Sequence, residues 1–371
     1  MGLKFKLVIC LLLASVSLIA KEHTPNMLFE RPIEIACIPH EFGVAGAFSG
    51  LSNDALVVAG GSWFSSESGP RIYGDSIYVC VKKGGEFIWR VSGTLPSPVA
   101  YGASVQTTEG ILCLGGENDE IPSAKVYMLK WNPENGSVSF DEYPDLPAPA
   151  TKLSAALIDK TVYVISGKRF WRFDLQKREW QTLPDVPFVE RQGAVMVSQN
   201  NGFNECLYLI GGKGEYYRDD MWSYDPSQPE NHRWESLPAT PYPLSSAPAL
   251  SYGDSQLFVF SGSTGSDMSP DGEFKFPKDI LSFNTETKTW SVAGELDQGK
   301  ISANAILWDG KVFIPGGEIR PKVRTNNVVS IMLKDKSART FSVWNAALIG
   351  CLLLILSLSV VLSRRTKSKK R

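Results

Sequence analysis

The 371-residue chain is short of the residues that build metal centres. Its three histidines, His23, His40 and His232, are scattered, and its six cysteines contain no Cys-x-x-Cys pair. Zinc and copper sites draw on clustered thiolates and imidazoles, so no metal and no other cofactor is expected. Cys10 and Cys351 fall in apolar end segments, leaving Cys37, Cys80, Cys113 and Cys206 without motif spacing. They read as buried free thiols, with one disulfide as the alternative in an oxidising compartment. The body also lacks any helical period, and long apolar runs are confined to its two ends.

Those ends set the expected topology. Residues 1–20 carry Lys4 and Lys6 ahead of an apolar run from Leu7 to Ala14 and then small residues, as a secretory signal does. Residues 343–363 are long and apolar enough to cross a bilayer as a helix, and the tail 364–371 holds six cations. Basic residues beside a span stay cytoplasmic. The expected arrangement is a single-pass protein of the cell-envelope membrane, anchored by its C-terminal helix, with residues 21–340 on the periplasmic or extracellular side. Setting aside the two signal lysines and six tail cations, 30 basic residues face 39 acidic ones. That balance argues against nucleic acid as a partner.

Between the ends, one pattern recurs six times. Apolar runs close on a small residue and a glycine at Val57–Gly61, Leu112–Gly116, Tyr163–Gly167, Tyr208–Gly212, Phe258–Gly262 and Phe313–Gly317. Each follows a shorter run of small residues: Gly46–Phe48, Gly102–Val105, Ser154–Leu157, Gly193–Met196, Ala247–Leu250 and Ala303–Ile306. Small side chains suit strands crowded round an axis. Several copies continue through a Tyr or Phe strand to Trp89, Trp180, Trp234 or Trp290 and then a Leu-Pro or similar turn. Four short strands per repeat predict an all-β, six-bladed propeller. The sixth copy lacks a last strand, and Ile33–Ile38 is the expected N-terminal strand that closes it, removing open sheet edges.

The repeats resemble kelch repeats. In such a ring, residues just after the double glycines line one mouth of the central channel: Ser62, Glu117, Lys168, Lys213, Ser263 and Glu318, with Arg169, Arg218 and Arg324 close behind. This mixed-charge funnel suits a small polar ligand. Any one of these charges taken singly reads as a loop ion pair or a solvated charge. Glu318 and Arg324 differ because two glycines precede the acid and Pro321 stiffens the return of the guanidinium. A carboxylate beside a guanidinium can move a proton next to an anion anchor.

The stretch Gly317-Glu318-Ile319-Arg320-Pro321-Lys322-Val323-Arg324-Thr325 resembles the active-site loop of the sialic acid mutarotases, or N-acetylneuraminate epimerases, six-bladed kelch propellers of the bacterial envelope. Gly43–Asp54 resembles a segment that follows this loop in those enzymes but precedes it here, an order matching the cyclically permuted branch. The resemblance implies an isomerase interconverting the α and β anomers of N-acetylneuraminate through the open keto form. Glu318 would be the catalytic acid/base and Arg324 would bind the substrate carboxylate. It also implies sialic acid as the small-molecule substrate, with a sialic acid transporter or a sialidase as functional neighbour. Glu117, Arg218 and Arg169 are assigned to substrate binding from mouth geometry alone, with Glu117 also the candidate second proton-transfer group.

Three other readings compete. A non-catalytic kelch propeller could bind a glycan or protein at the same mouth. A sialidase would need a Ser-x-Asp-x-Gly-x-x-Trp box, which Ser269-Pro270-Asp271-Gly272 only grazes, and an acid–nucleophile pair. A copper oxidase on kelch blades would need His ligands that the chain does not supply.

Overall fold

The computed structural model describes residues 27–30, 35–66, 68–268 and 272–335. The expected signal, membrane helix and basic tail lie outside them, as do Ser269–Asp271. No helix among the described residues is long and apolar enough to cross a membrane. Contacts divide the chain into a body, Glu30–Met332, and a second unit made of the two ends, Met1–Phe29 and Leu333–Arg371. Of that second unit only Met27–Phe29 and Leu333–Asp335 are described, all as strand.

Six four-stranded sheets make up the propeller, five running in chain order from an inner to an outer strand and the sixth taking its outer strand from the N-terminus. The blades occupy residues 48–94, 103–143, 154–183, 195–237, 249–295 and 306–335. Blade 1 shows the pattern: Phe48–Ser52 innermost, then Ala55–Ala59, Ser76–Lys83 and Glu86–Thr94. The second strands are the apolar runs read from the sequence. In blade 1 all five residues of that strand are buried, because its two faces pack on neighbouring blades and a strand covered on both faces needs no polar alternation. The innermost strands begin up to three residues later than the small-residue runs suggested, at Phe48, Ala103, Ser154, Val195, Ala249 and Ile306.

The delay has a cause. Just before each inner strand one residue turns left-handed: Gly46 (φ 67), Tyr101 (φ 60), Lys152 (φ 52), Gly193 (φ 61), Ser246 (φ 57) and Ser302 (φ 55). Their backbones form a closed ring of hydrogen bonds round the axis. Tyr101 N–H donates to Gly46 O (2.7 Å), Lys152 to Tyr101 (2.7 Å), Gly193 to Lys152 (2.9 Å), Ser246 to Gly193 (2.7 Å), Ser302 to Ser246 (2.8 Å) and Gly46 to Ser302 (2.7 Å). Each blade is thus tied to the next at the throat, and buried N–H and C=O groups that the sheets leave over are paired. Below the ring the channel encloses about 480 Å³, with Ser49, Ser104, Ser154, Ser198, Ser251 and Asn304 on its wall.

The last blade is closed from the N-terminus, as expected, but by Met27–Glu30, which lies beside Val328–Asp335 in the sheet. Within Ile33–Ile38, residues 35–38 are not strand. They form a plug instead: Ile35 and Ile38 are buried with Val44, Leu56, Phe313 and Val328 between blades 6 and 1. Ala36 O accepts a hydrogen bond from Trp89 Nε1 (2.8 Å). The same hook recurs where Trp180 donates to Pro144 O (2.9 Å) and Trp290 to Pro238 O (2.9 Å), each acceptor standing just after the outer strand of the preceding blade. The apolar residues Ile35 and Ile38 therefore serve packing at the turn position, with Pro39 following. Cys37, Cys80, Cys113 and Cys206 are free thiols; all but Cys37 are buried. Cys113 and Cys206 sit on second strands.

The ring gives a direct test. A Cβ on Gly46 would meet the Tyr101 ring at 2.6 Å with the backbone at φ +67°, whereas one on Gly253, at φ +58°, meets nothing within 4 Å. Gly253→Ala is expected to cost only the left-handed penalty, ~1 kcal/mol. Gly46→Ala adds the clash and should cost ~3 kcal/mol. Urea unfolding midpoints of the two variants measure the difference.

Candidate active site

The Gly316-Gly317 pair turns the chain into a two-stranded hairpin, Glu318–Arg320 with Val323–Arg324, whose register sets Glu318 opposite Arg324. Opposite residues in an antiparallel pair project from the same face, so the sequence spacing becomes an ion pair: Arg324 Nη1 lies 2.7 Å from Glu318 Oε2. The approach is off the hydrogen-bond line, leaving the Nη1 hydrogens without a good acceptor. The other carboxylate oxygen accepts the Lys322 backbone N–H at 3.0 Å. Arg324 is nearly sealed, its side chain 2% exposed, while that of Glu318 retains 15%. The same loop rests on the Gly43 segment: a Cβ at Gly43 (φ +73°) would sit 2.0 Å from the Thr325 carbonyl carbon.

Two further contacts fix the guanidinium. Its Nε donates to Ser62 O (3.3 Å) and its Nη2 to Tyr101 Oη (3.0 Å), while the Phe64 ring lies 5.0 Å from Cζ. Tyr101 Oη also accepts from Ser62 Oγ (2.9 Å). Arg71 stands over the rings of both Phe64 (5.7 Å) and Tyr101 (5.4 Å), and Lys152 Nζ lies 5.7 Å from the Tyr101 ring. Glu117 completes this wall. Tyr73 Oη (3.0 Å) donates to its Oε1, with Arg71 Nη1 at 3.4 Å. Thr151 Oγ1 (2.8 Å) donates to its Oε2, with Lys152 Nζ at 3.6 Å. Residues from blades 6, 1 and 2 and the entry to blade 3 thus share one cluster of alternating acid, base and phenol.

Of the sequence-derived candidates, Glu318, Arg324 and Glu117 come together. Glu117 is 2% exposed and has a donor at each available side, an arrangement for anchoring the loops and positioning the cations rather than for passing protons. Arg169 begins the third strand of blade 3 and is exposed, on the opposite side of the axis from Glu318. Arg218 lies on blade 4, its Nε buried without an acceptor, and its charge helps lower the pKa of Asp220. Among the described residues, the partners of Glu318 and Arg324 include neither Arg169 nor Arg218. Ser62 joins the cluster through Tyr101, whereas Ser263 is bound to Asp267 Oδ2 at 2.6 Å. Tyr101, Arg71, Tyr73, Phe64 and Lys152 were missed. Aligning the six repeats on their left-handed position would have found Tyr101 and Lys152, the two long side chains among the ring's two glycines and two serines.

Beneath the loop lies Lys300, 2% exposed. Its ammonium group meets three carbonyls, Gly316 O at 3.0 Å, Ile314 O at 3.4 Å and Asn327 O at 3.4 Å, clamping both ends of the hairpin. Blade 4 uses the same device with Arg191, which donates to Gly211 O (3.1 Å) but also forms a two-pronged pair with Asp220 (2.6 and 2.9 Å). Burial alone would raise the Asp220 carboxyl; hydrogen bonds from Arg191 and Trp222 hold it below the usual range. In blade 6 Asn327 stands where Asp220 does, each backbone oxygen accepting from the first glycine of the pair. Desolvation without a neutralising carboxylate pushes Lys300 down to about 7.

No family model matches the chain. It is 44% identical to the N-acetylneuraminate epimerase of Vibrio cholerae over 104 residues, 24% of this chain and 26% of that protein. With the N-acetylneuraminate epimerase of Haemophilus influenzae it shares 27% identity over 227 residues, covering 51% of this chain and 59% of that one. The Kelch-like protein terF of Aspergillus terreus is 21% identical over 312 residues, 74% and 65% of the two chains. The matches to the two epimerases therefore span about a quarter and three-fifths of those relatives' own length. The solved structure of YjhT superposes with a TM-score of 0.62 at 17% identity, over 81% of this chain and 98% of that one, a likeness of fold.

Lys300 makes stability depend on pH. Its folded pKa lies below the unfolded 10.5, so the unfolded chain binds more protons between those values and stability rises with pH there. The penalty is full below about 7 and relieved above it. Between pH 7 and 8.5, where the titration of thiols and phenols is common to both proteins, wild type should gain ~1.5 kcal/mol relative to Lys300→Met. Denaturant unfolding of both proteins at the two pH values checks the slope.

Proposed function

We propose that the protein is a sialic acid mutarotase, accelerating exchange between the α and β anomers of N-acetylneuraminate at the mouth formed by blades 6, 1 and 2. The observation that carries this reading is the Glu318 carboxylate, partly open and held 2.7 Å from Arg324, on a loop within reach of Arg71 and Lys152. Similarity to proteins named N-acetylneuraminate epimerase supports the same reading.

The chemistry needs little. The anomeric hydroxyl loses a proton, the bond from the anomeric carbon to the ring oxygen breaks as a ketone forms, and the ring oxygen gains a proton. Reclosure on the other face reverses each transfer. Glu318 takes and returns the anomeric proton, and its hydrogen bond from Lys322 N–H and its ion pair with Arg324 keep it oriented. The sugar carboxylate is attracted by Arg324 together with the more open Arg71 and Lys152, whose side chains are 28% and 43% exposed. Arg218 and Arg169, across the mouth, would meet the far end of a bound sugar. We place the reaction outside the cytoplasmic membrane, where sialidases release the α anomer and a transporter would take up the product.

Proton NMR of anomer exchange tests the reading with the full chain. Wild type should speed appearance of the β form as a sialidase releases α-N-acetylneuraminate, and Glu318→Ala should lose that acceleration by a factor of ~10² or more. A folded wild type that leaves the buffer rate unchanged would make the mouth a binding site only.

A further inference from the structure

Anomer exchange requires a second proton, delivered to the ring oxygen, and Glu117 is too fully bonded to supply it. We infer that Tyr101 is this second proton-transfer group, a proposal that rests on the mutarotase reading and completes its chemistry.

Three observations carry it. First, the Tyr101 hydroxyl oxygen accepts two hydrogen bonds, from Arg324 Nη2 (3.0 Å) and Ser62 Oγ (2.9 Å). A phenol oxygen with both acceptor directions filled directs its own proton elsewhere, and the residue is only half-buried at the mouth. Second, the charge needed to stabilise a phenolate is in place: Arg324 donates to the oxygen, and Arg71 and Lys152 flank the ring at 5.4 and 5.7 Å. Third, one guanidinium links the two reacting groups, with Nη1 against Glu318 Oε2 and Nη2 against Tyr101 Oη. The two groups are spaced by the width of that fork. The anomeric hydroxyl and the ring oxygen are likewise two oxygens on one carbon, so a sugar presented to this face meets a base and an acid at matching separation.

The backbone supports the assignment. Tyr101 occupies the throat ring at φ 60, a conformation costly for a bulky residue. Its ring packs against Gly46, where any Cβ would intrude at 2.6 Å. Four of the six ring positions hold glycine or serine, so the geometry of the fold alone does not call for a tyrosine.

In the opening step Glu318 removes the anomeric O–H proton, the electron pair becomes the C=O bond, and the anomeric C–O(ring) bond breaks. Its electrons take the Tyr101 proton. In closure the new hydroxyl attacks the opposite face of the ketone, its proton returns to the Tyr101 oxygen, and the ketone oxygen recovers the proton from Glu318. Both groups end as they began.

The test is equilibrium exchange NMR on N-acetylneuraminate over a range of concentrations and pH, with wild type, Tyr101→Phe, Ser62→Ala and Glu318→Ala. Tyr101→Phe keeps the ring that packs on Gly46, and thermal unfolding will verify that it folds as wild type does. Its kcat should fall ~10²-fold with KM within about threefold. Ser62→Ala, which removes one donor to the phenol, should lose kcat by a smaller factor, ~5-fold. A Tyr101→Phe enzyme with wild-type kcat, beside an inactive Glu318→Ala, would overturn the role of Tyr101 alone. A wild type without activity would overturn the mutarotase reading itself, and the present inference with it.

Discussion

The circle of six backbone hydrogen bonds at the throat governs what the rest of the molecule can do. Each link needs a residue in the left-handed region immediately before an inner strand. That requirement fixes where the inner strands begin and how far each blade stands from its neighbour. It also determines which side chains stand at the rim of the channel. Glycine meets the requirement without strain, and serine meets it with a short side chain. Where the chain places Tyr101 and Lys152 instead, it accepts local strain, and both residues fall beside Glu318, Arg324 and Glu117. The site is therefore an asymmetric decoration of a nearly symmetric ring.

The fold was largely legible because the repeat is written in glycines, whose positions report backbone conformation directly. Six closing Gly pairs or Ser-Gly equivalents predicted six second strands, and six appear. The N-terminal closure was legible as a need but not as a location: Ile33–Ile38 looked like a strand because it is apolar, and within it Ile35 and Ile38 serve a plug between blades 6 and 1. Glu318 and Arg324 were legible for a different reason, since a tight hairpin brings residues six apart into register. Tyr101, Arg71 and Lys152 were not, because they reach the site from the entry to blade 2, blade 1 and the entry to blade 3 through contacts distant in sequence.

Comparison between blades shows how one architectural slot takes different chemistry. The buried cation under the double glycine is an Arg–Asp pair in blade 4 and a lysine among carbonyls in blade 6. The first is a neutral, fully bonded unit. The second leaves a charge in a desolvated place, directly beneath the hairpin carrying Glu318 and Arg324. Losing a buried partner is normally destabilising, and it falls under the one hairpin that bears the proposed acid/base. Gly43, pressed against Thr325, holds the other side of that hairpin, so the two segments singled out in the sequence are neighbours in space whatever their order in the chain.

The hydrogen bond from Gly46 to Ser302 joins the first blade's entry to the last blade's, and this has a meaning in time. As the chain is synthesised from its N-terminus, five links of the throat can form in succession, each between adjacent repeats. The sixth waits for nearly the whole propeller to emerge. Until then the first and fifth blades present open flanks, and the loop bearing Glu318 has not yet been made. Long-range closure of this kind is slow relative to local pairing, so the last event in assembly is also the one that brings the proposed acid/base up against the guanidinium, the phenol and the cations waiting on blades 1 to 3. An incomplete ring thus holds an incomplete site, and the activity proposed for that site would report that the circle has closed.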